Sequence, residues 1–215
     1  MKFGKKLTLG LSALTLAAAA HANTVVFSEG FDNLASAGWT FTNLSSPADK
    51  DWSQGFGEPS IVAQSGAGTS YAQANYLSAL NGSGSIDNWL ISPVITLGGS
   101  TSLSFYARSE DVDGFTFTDT FNVLFSSGSG TATSGFTSVL ASVTASTADW
   151  TQYTVTLPSA ATGRIAFEYL VADANNANVL AIDTVSVSAV PEPATYGLMA
   201  MGLMGLAMLR RRKAS

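Results

Sequence analysis

Thr101-Ser-Leu103-Ser-Phe105-Tyr-Ala107 places apolar side chains at every second position, with Ser102, Ser104 and Tyr106 between them. That period of two belongs to a strand with one face in a core, whereas a helix would repeat at 3.6. The same beat returns in Phe121, Val123 and Phe125, in Tyr153, Val155 and Leu157, and in Ile165, Phe167, Tyr169 and Val171. A last strand carries Ile182, Val185 and Val187. Between these runs lie Asn81-Gly-Ser-Gly84, Gly98-Gly99, Ser126-Ser-Gly-Ser-Gly130 and Asp173-Ala-Asn-Asn-Ala-Asn178. Such Gly, Asn and Ser clusters supply turns. Residues 71–80 read as a strand near Asn75-Tyr-Leu77, and the Tyr153 strand reads as ending at Leu157-Pro158. About ten strands with short loops predict an all-β fold, an antiparallel two-sheet sandwich of the jelly-roll kind. The domain spans residues 23–189 and is long enough to bury a core without disulfides; the chain has no cysteine.

Outward from that domain, the charge distribution changes sign. Of the 10 Lys and Arg in this 215-residue chain, three lie between residues 23 and 190, against 14 of the 15 acids. A middle segment this acidic repels phosphate backbones, which excludes nucleic acid as a partner, and it attracts cations.

The basic residues sit at the two ends. Lys2, Lys5 and Lys6 precede an apolar run from Leu7 to Ala20, and Ala20-His21-Ala22 has the small-x-small form of a signal-peptidase site. Residues 1–22 are therefore expected to be a signal helix handled by the Sec machinery and signal peptidase, with cleavage after Ala22. The cut removes His21, the single histidine. At the other end, residues 190–215 contain Pro191, Glu192 and Pro193, an apolar run over about 194–209, then Arg210, Arg211, Arg212 and Lys213. Sixteen residues at 1.5 Å each make a helix of about 24 Å, short against a hydrocarbon core of about 30 Å. A C-terminal transmembrane helix is expected there, with the arginines as a cytoplasmic membrane stop. Two prolines keep the segment before it extended and accessible.

Pro-Glu-Pro, a Gly/Met/Leu-rich helix and an Arg cluster, in that order over about residues 190–213, resemble the PEP-CTERM sorting signal. The resemblance implies an inner-membrane exosortase that recognises Pro191, Glu192 and Pro193 and cuts nearby. It also implies a Gram-negative host that makes exopolysaccharide. The chain would be transiently anchored in the inner membrane and then found at the cell surface or outside the cell.

Within the domain, Glu29-Gly-Phe-Asp-Asn33 precedes Gly38-Trp39-Thr40, and Asn88-Trp-Leu-Ile-Ser-Pro93 precedes the quoted strand. Trp150-x-x-Tyr153 follows, and Ala181-Ile-Asp183-Thr-Val185 closes the domain. This order resembles the choice-of-anchor J domain, related to the cleaved-adhesin and MAM-like jelly rolls, over residues 25–188. The resemblance implies an extracellular domain with no activity attached to the family as such. It also implies structural calcium where the first and last strands meet. Glu29, Asp32 and Asp183 would supply three carboxylates if those ends are neighbours. On the other reading of the same residues, Asp32 and Asn33 form a turn and Asp183 accepts backbone hydrogen bonds; both stay open at this point.

Catalysis finds little support in the residues. Without His or Cys in the mature domain, the usual nucleophile–base triads cannot be built. A glycosidase-type carboxylate pair is not apparent either, because Glu168 reads as having no acidic neighbour on its own face. The chain is read as no enzyme. Of the four tryptophans, Trp39, Trp89 and Trp150 are expected in the core. Trp52, flanked by Asp49, Lys50, Asp51 and Gly55, is expected to be exposed and is the candidate for stacking on a sugar. Glu110-Asp-Val-Asp113-Gly114, with Asp119, reads as a solvated acidic loop. The expected function is that of a non-catalytic exported protein of the cell surface or extracellular matrix, associated with exopolysaccharide and biofilm. A carbohydrate-binding module for exopolysaccharide is the alternative, followed by a secreted glycoside hydrolase.

Overall fold

The alternating runs do become strands, and two of them are longer than their turn-forming residues suggested. The computed structural model describes residues 24–189, together with Gly197 and Gly202. Ten strands follow one another: β1 Thr24–Glu29, β2 Thr40–Asn43, β3 Ser53–Gln54, β4 Ala72–Asn75, β5 Ile86–Ile91, β6 Ile95–Ser109, β7 Thr120–Ser126, β8 Ser138–Thr144, β9 Thr151–Val171 and β10 Val179–Ala189. Every pairing between them is antiparallel. The remaining regular pieces are single 3-10 turns.

The strands form two layers joined through β9. In the first layer β10 pairs with β6 on one edge, and with β4 and β1 in succession on the other; β3 adds to β4. The first part of β9 completes this layer by pairing with β6, from Thr151 opposite Ala107 to Gly163 opposite Ile95. The rest of β9 enters the second layer, where it lies between β5 and β7, with β2 and β8 outside them. Gly163 marks the crossing. A Cβ at that position would run into the Phe125 ring and lie 2.8 Å from the Ser126 carbonyl oxygen, so only glycine lets the backbones come this close.

Leu103, Phe105, Ile182 and Val187 face Phe121, Val123, Ile165 and Phe167 across the sandwich, all of them buried. Their rings meet edge to face, as Phe105 does with Phe167 at 5.0 Å between centroids. Each such side chain contributes about 1.5–3 kcal/mol by leaving water. Trp39 closes one side, stacked on Phe167 and touching Phe31.

Three local expectations need correcting. The Tyr153 strand does not end at Pro158; β9 runs through it. Pro158 falls where the β6–β9 register shifts, between Leu157 opposite Thr101 and Ala160 opposite Gly99, so no ladder N–H is required of it. For the same reason Gly98 and Gly99 lie inside β6 rather than in a turn. Finally, β4 stops at Asn75, whose side-chain oxygen accepts the Leu77 N–H and bends Tyr76–Ser78 into a 3-10 turn.

Candidate functional site

Asp183 lies in the middle of β10 and is fully buried. Its Oδ2 accepts the N–H groups of Gln64 (2.8 Å) and Ser65 (3.1 Å), and its Oδ1 accepts that of Thr184. Burial pushes its carboxyl above the ordinary aspartate value, and the three backbone donors pull the other way. The side chain therefore clamps the 64–70 loop to the last strand. Gln64 returns the contact by accepting the Thr184 hydroxyl at 2.8 Å.

The opening strand meets the closing one here, with Glu29 opposite Val185. Glu29 Oε1 accepts the Phe31 N–H at 2.7 Å, and Asp32 Oδ1 accepts the Ser70 hydroxyl at 2.8 Å. Phe31 and Thr184 both take positive φ, 51° and 50°, a conformation that side chains other than glycine seldom adopt. Strain of this kind costs about 1–3 kcal/mol per residue, so the surrounding contacts must enforce it. Glu29, Asp32, Gly66 and Thr184 line a cleft of about 420 Å³. The structure thus brings Glu29 and Asp32 to one cleft, while Asp183 turns its oxygens to the backbone beside it. Among the described residues no group of three or more His, Cys, Asp or Glu is placed to hold a metal ion. A calcium ion at this end would therefore rest on Glu29, Asp32 and neighbouring backbone and hydroxyl oxygens.

The exposure expected of Trp52 is a correction. Its ring is 3% exposed, and its indole N–H donates to the Asn88 carbonyl at 3.1 Å. Backbone bonds from Asp49 to Ser78 and from Lys50 to Leu77 draw the charged segment onto the domain and fold Trp52 underneath it. It backs the wall of a cleft near Phe41 and Gln54 but has no ring face free for a sugar.

A second correction concerns Glu168. Trp89, Glu168, Asn122 and Ser142 form one row across β5, β9, β7 and β8. Asp87 shares that face, two positions from Trp89, so Glu168 does have an acidic neighbour. Asn122 Nδ2 donates to Glu168 at 2.7 Å, Ser142 donates to Asn122 at 2.6 Å, and the Trp89 indole donates to Asp87. Burial raises the Glu168 carboxyl above its ordinary value, and Asp87 adds to the rise. Glu168 is 9% exposed, and both carboxyls of the row are taken up by donors, Asp87 by Trp89 and Glu168 by Asn122.

Asp119 does not belong to a solvated loop. It is fully buried and accepts bonds from the Ser109 and Tyr169 hydroxyls and from the Asn178 N–H at 2.9 Å. Burial, with the Asp119 charge alongside, holds the Tyr169 hydroxyl well above the usual tyrosine value.

Ala20 and Ala22, Pro191, Glu192 and Pro193, and Arg210, Arg211 and Arg212 lie outside the described residues, as does the expected span over 194–209 apart from Gly197 and Gly202. Among the described residues no helix is long and apolar enough to cross a membrane.

The family model for the Cleaved Adhesin Domain matches residues 24–187, and the PEP-CTERM protein-sorting motif matches residues 189–213. No curated protein matches the chain. Among solved structures the chain is similar to the K1 cleaved adhesin domain of Lys-gingipain from Porphyromonas gingivalis W83. Identity is 26% over 77% of this chain and 98% of that one, with a TM-score of 0.63. The K3 domain of the same protein has the same fold, at 23% identity over 79% of this chain and 100% of that one, with a TM-score of 0.60.

Proposed function

The chain belongs to the Cleaved Adhesin Domain family, and from that footing we propose that it is a non-catalytic binding protein, exported and sorted to the cell surface or extracellular matrix. An exosortase acts on the Pro191-Glu192-Pro193 end, and the released or surface-held domain associates with exopolysaccharide. The observation that carries this reading is the junction of the two matches: an adhesin-type domain ends at residue 187 and a sorting motif begins at residue 189. The signal peptide at 1–22 belongs to the same reading, with Sec and signal peptidase as export partners and transient anchoring in the inner membrane before the cut. The occupation of both carboxyls by donors, Asp87 by the Trp89 indole and Glu168 by Asn122, supports a binding rather than a hydrolytic role.

Fractionation with mass spectrometry of the C-terminus tests sorting. A terminus near Pro191 in the extracellular fraction is the expected result; an intact tail confined to the inner membrane would sink it. Structural calcium is part of the proposal, held by Glu29 and Asp32 where β1 meets β10. A ligand of the folded state raises its melting temperature with concentration. Calcium is expected to raise the transition and a chelator to lower it, and an unchanged transition would remove calcium from the reading.

A further inference from the structure

Three segments that carry no strand converge at the start of β10. The Tyr76 N–H donates to the Asn178 carbonyl at 2.9 Å, and the Thr118 N–H donates to the Asn176 carbonyl at 2.7 Å. These bonds tie the 76–82 turn and the 115–118 loop to the 173–178 loop. Between them lies a cleft of about 350 Å³, inside the range of about 300–1,000 Å³ usual for small-ligand sites.

Its lining combines two kinds of surface. Tyr76 is 41% exposed and lies against Gly82, where a Cβ would come within 2.7 Å of the ring. Phe117 lines the cleft and stacks on Phe115, with ring centroids 5.8 Å apart and an angle of 10° between the planes; Phe115 itself is 66% exposed. Asn81, Asn175 and Asn178 supply amides. Asn178 is 8% exposed, its Nδ2 donating to Glu110 at 3.2 Å. Among the described residues no donor reaches its Oδ1. Asn175 Nδ2 donates to Asp173 at 2.8 Å, which fixes that amide beside the rings, and aromatic rings next to oriented amides suit recognition of a ligand with one apolar and one polar side.

We propose that this cleft binds a neutral sugar unit of a polysaccharide, stacked on Tyr76 and Phe117 and hydrogen-bonded by Asn81, Asn175 and Asn178. The inference rests on the surface-binding reading above and gives it a site. A pyranose ring offers a C–H face to an aromatic ring and hydroxyls at its rim. Amides suit those hydroxyls because each can donate and accept. Charge selects the neutral class: Glu110, Asp111, Asp113 and Asp173 lie on or beside these segments, and none of the three carries Lys or Arg. A uronate or phosphate would be repelled.

The test titrates the full chain with soluble xylan, galactan, mannan and glucan oligosaccharides, and with polygalacturonate and alginate as acidic controls. The native chain is expected to bind at least one neutral glycan and neither acidic polymer. Tyr76→Ala with Phe117→Ala is expected to weaken binding by about tenfold or more. Tyr76→Phe with Phe117→Tyr should keep it, and the melting transition of both variants should stay near the native one. Neutral-glycan binding unaffected by the double alanine variant overturns the inference and leaves the surface-binding reading standing. Binding only to the acidic polymers overturns it as well. Should the native chain bind no glycan, both the inference and the exopolysaccharide association fall. Self-association abolished by the same variant, with no glycan bound, would assign the cleft to a second copy.

Discussion

Asp183 and Asn178 lie five positions apart on either side of the start of β10, and both are buried polar side chains. Asp183 has both carboxylate oxygens occupied by backbone N–H groups, and those bonds hold a loop and the positive-φ Thr184 in place. Asn178 lines a cleft rimmed by the exposed Tyr76 ring and the half-buried Phe117, and among the described residues its Oδ1 accepts no bond. A buried polar atom with all its partners is architecture, because its loss leaves donors stranded. An acceptor left over beside exposed aromatics is available to a ligand. Trp52 and Phe117 repeat the contrast among the rings: the first is sealed against the Asn88 carbonyl, the second stands at a cleft mouth.

Substitutions can break that division, and the largest effect is expected at the sealed tryptophan. Trp52→Ala should cost about 3–5 kcal/mol of stability, read from denaturant unfolding. If it instead unfolds like the native chain, Trp52 is not a core anchor. Asp183→Ala strands three N–H donors and should cost about 3 kcal/mol, with the 64–70 loop becoming open to proteolysis. An uncut loop and an unchanged midpoint would show that the clamp does not hold it.

Glu168→Gln should act in the opposite direction. Its carboxyl is raised above the ordinary 4.5 by burial, so the folded chain binds its proton more tightly than the unfolded chain does. Stability from this group is fully present below pH 4.5 and falls as pH rises through the raised folded value. The amide in its place keeps an acceptor for Asn122 and carries no charge to desolvate. The variant should match the native chain in acid and exceed it at neutral pH, with melting curves at both pH values as the check. The smallest stability effect belongs to Phe117→Ala, at a half-buried loop site, where about 0.5 kcal/mol or less is expected.

The sandwich was legible because its core strands alternate so regularly; Leu103, Phe105, Phe121 and Phe167 all face inward as their spacing says. What escaped is set by contacts between distant segments. Pro158, Gly98 and Gly99 look like breaks until their shared register shift is seen. Trp52 has charged neighbours in sequence, but its cover comes from Ser78 and Asn88. The acidic neighbour of Glu168 is Asp87, on a strand 81 positions away, and strand register alone brings them to one face. Phe115 and Phe117 alternate like a strand, yet no partner strand covers them. The exposure of Phe115, stacked on the half-buried Phe117, is the signal for the cleft, and it has no counterpart in local pattern.

The pairing of Thr24 with Ala189 brings the beginning and the end of the domain out at a single corner. From that corner β10 runs back 11 residues to Val179, next to Asn178, and at about 3.3 Å per residue it reaches roughly 35 Å. A domain held by residues beyond 189 stands on that strand as on a mast. A tether of the kind proposed above would grip one tip, and the aromatic-rimmed hollow would be carried at the other.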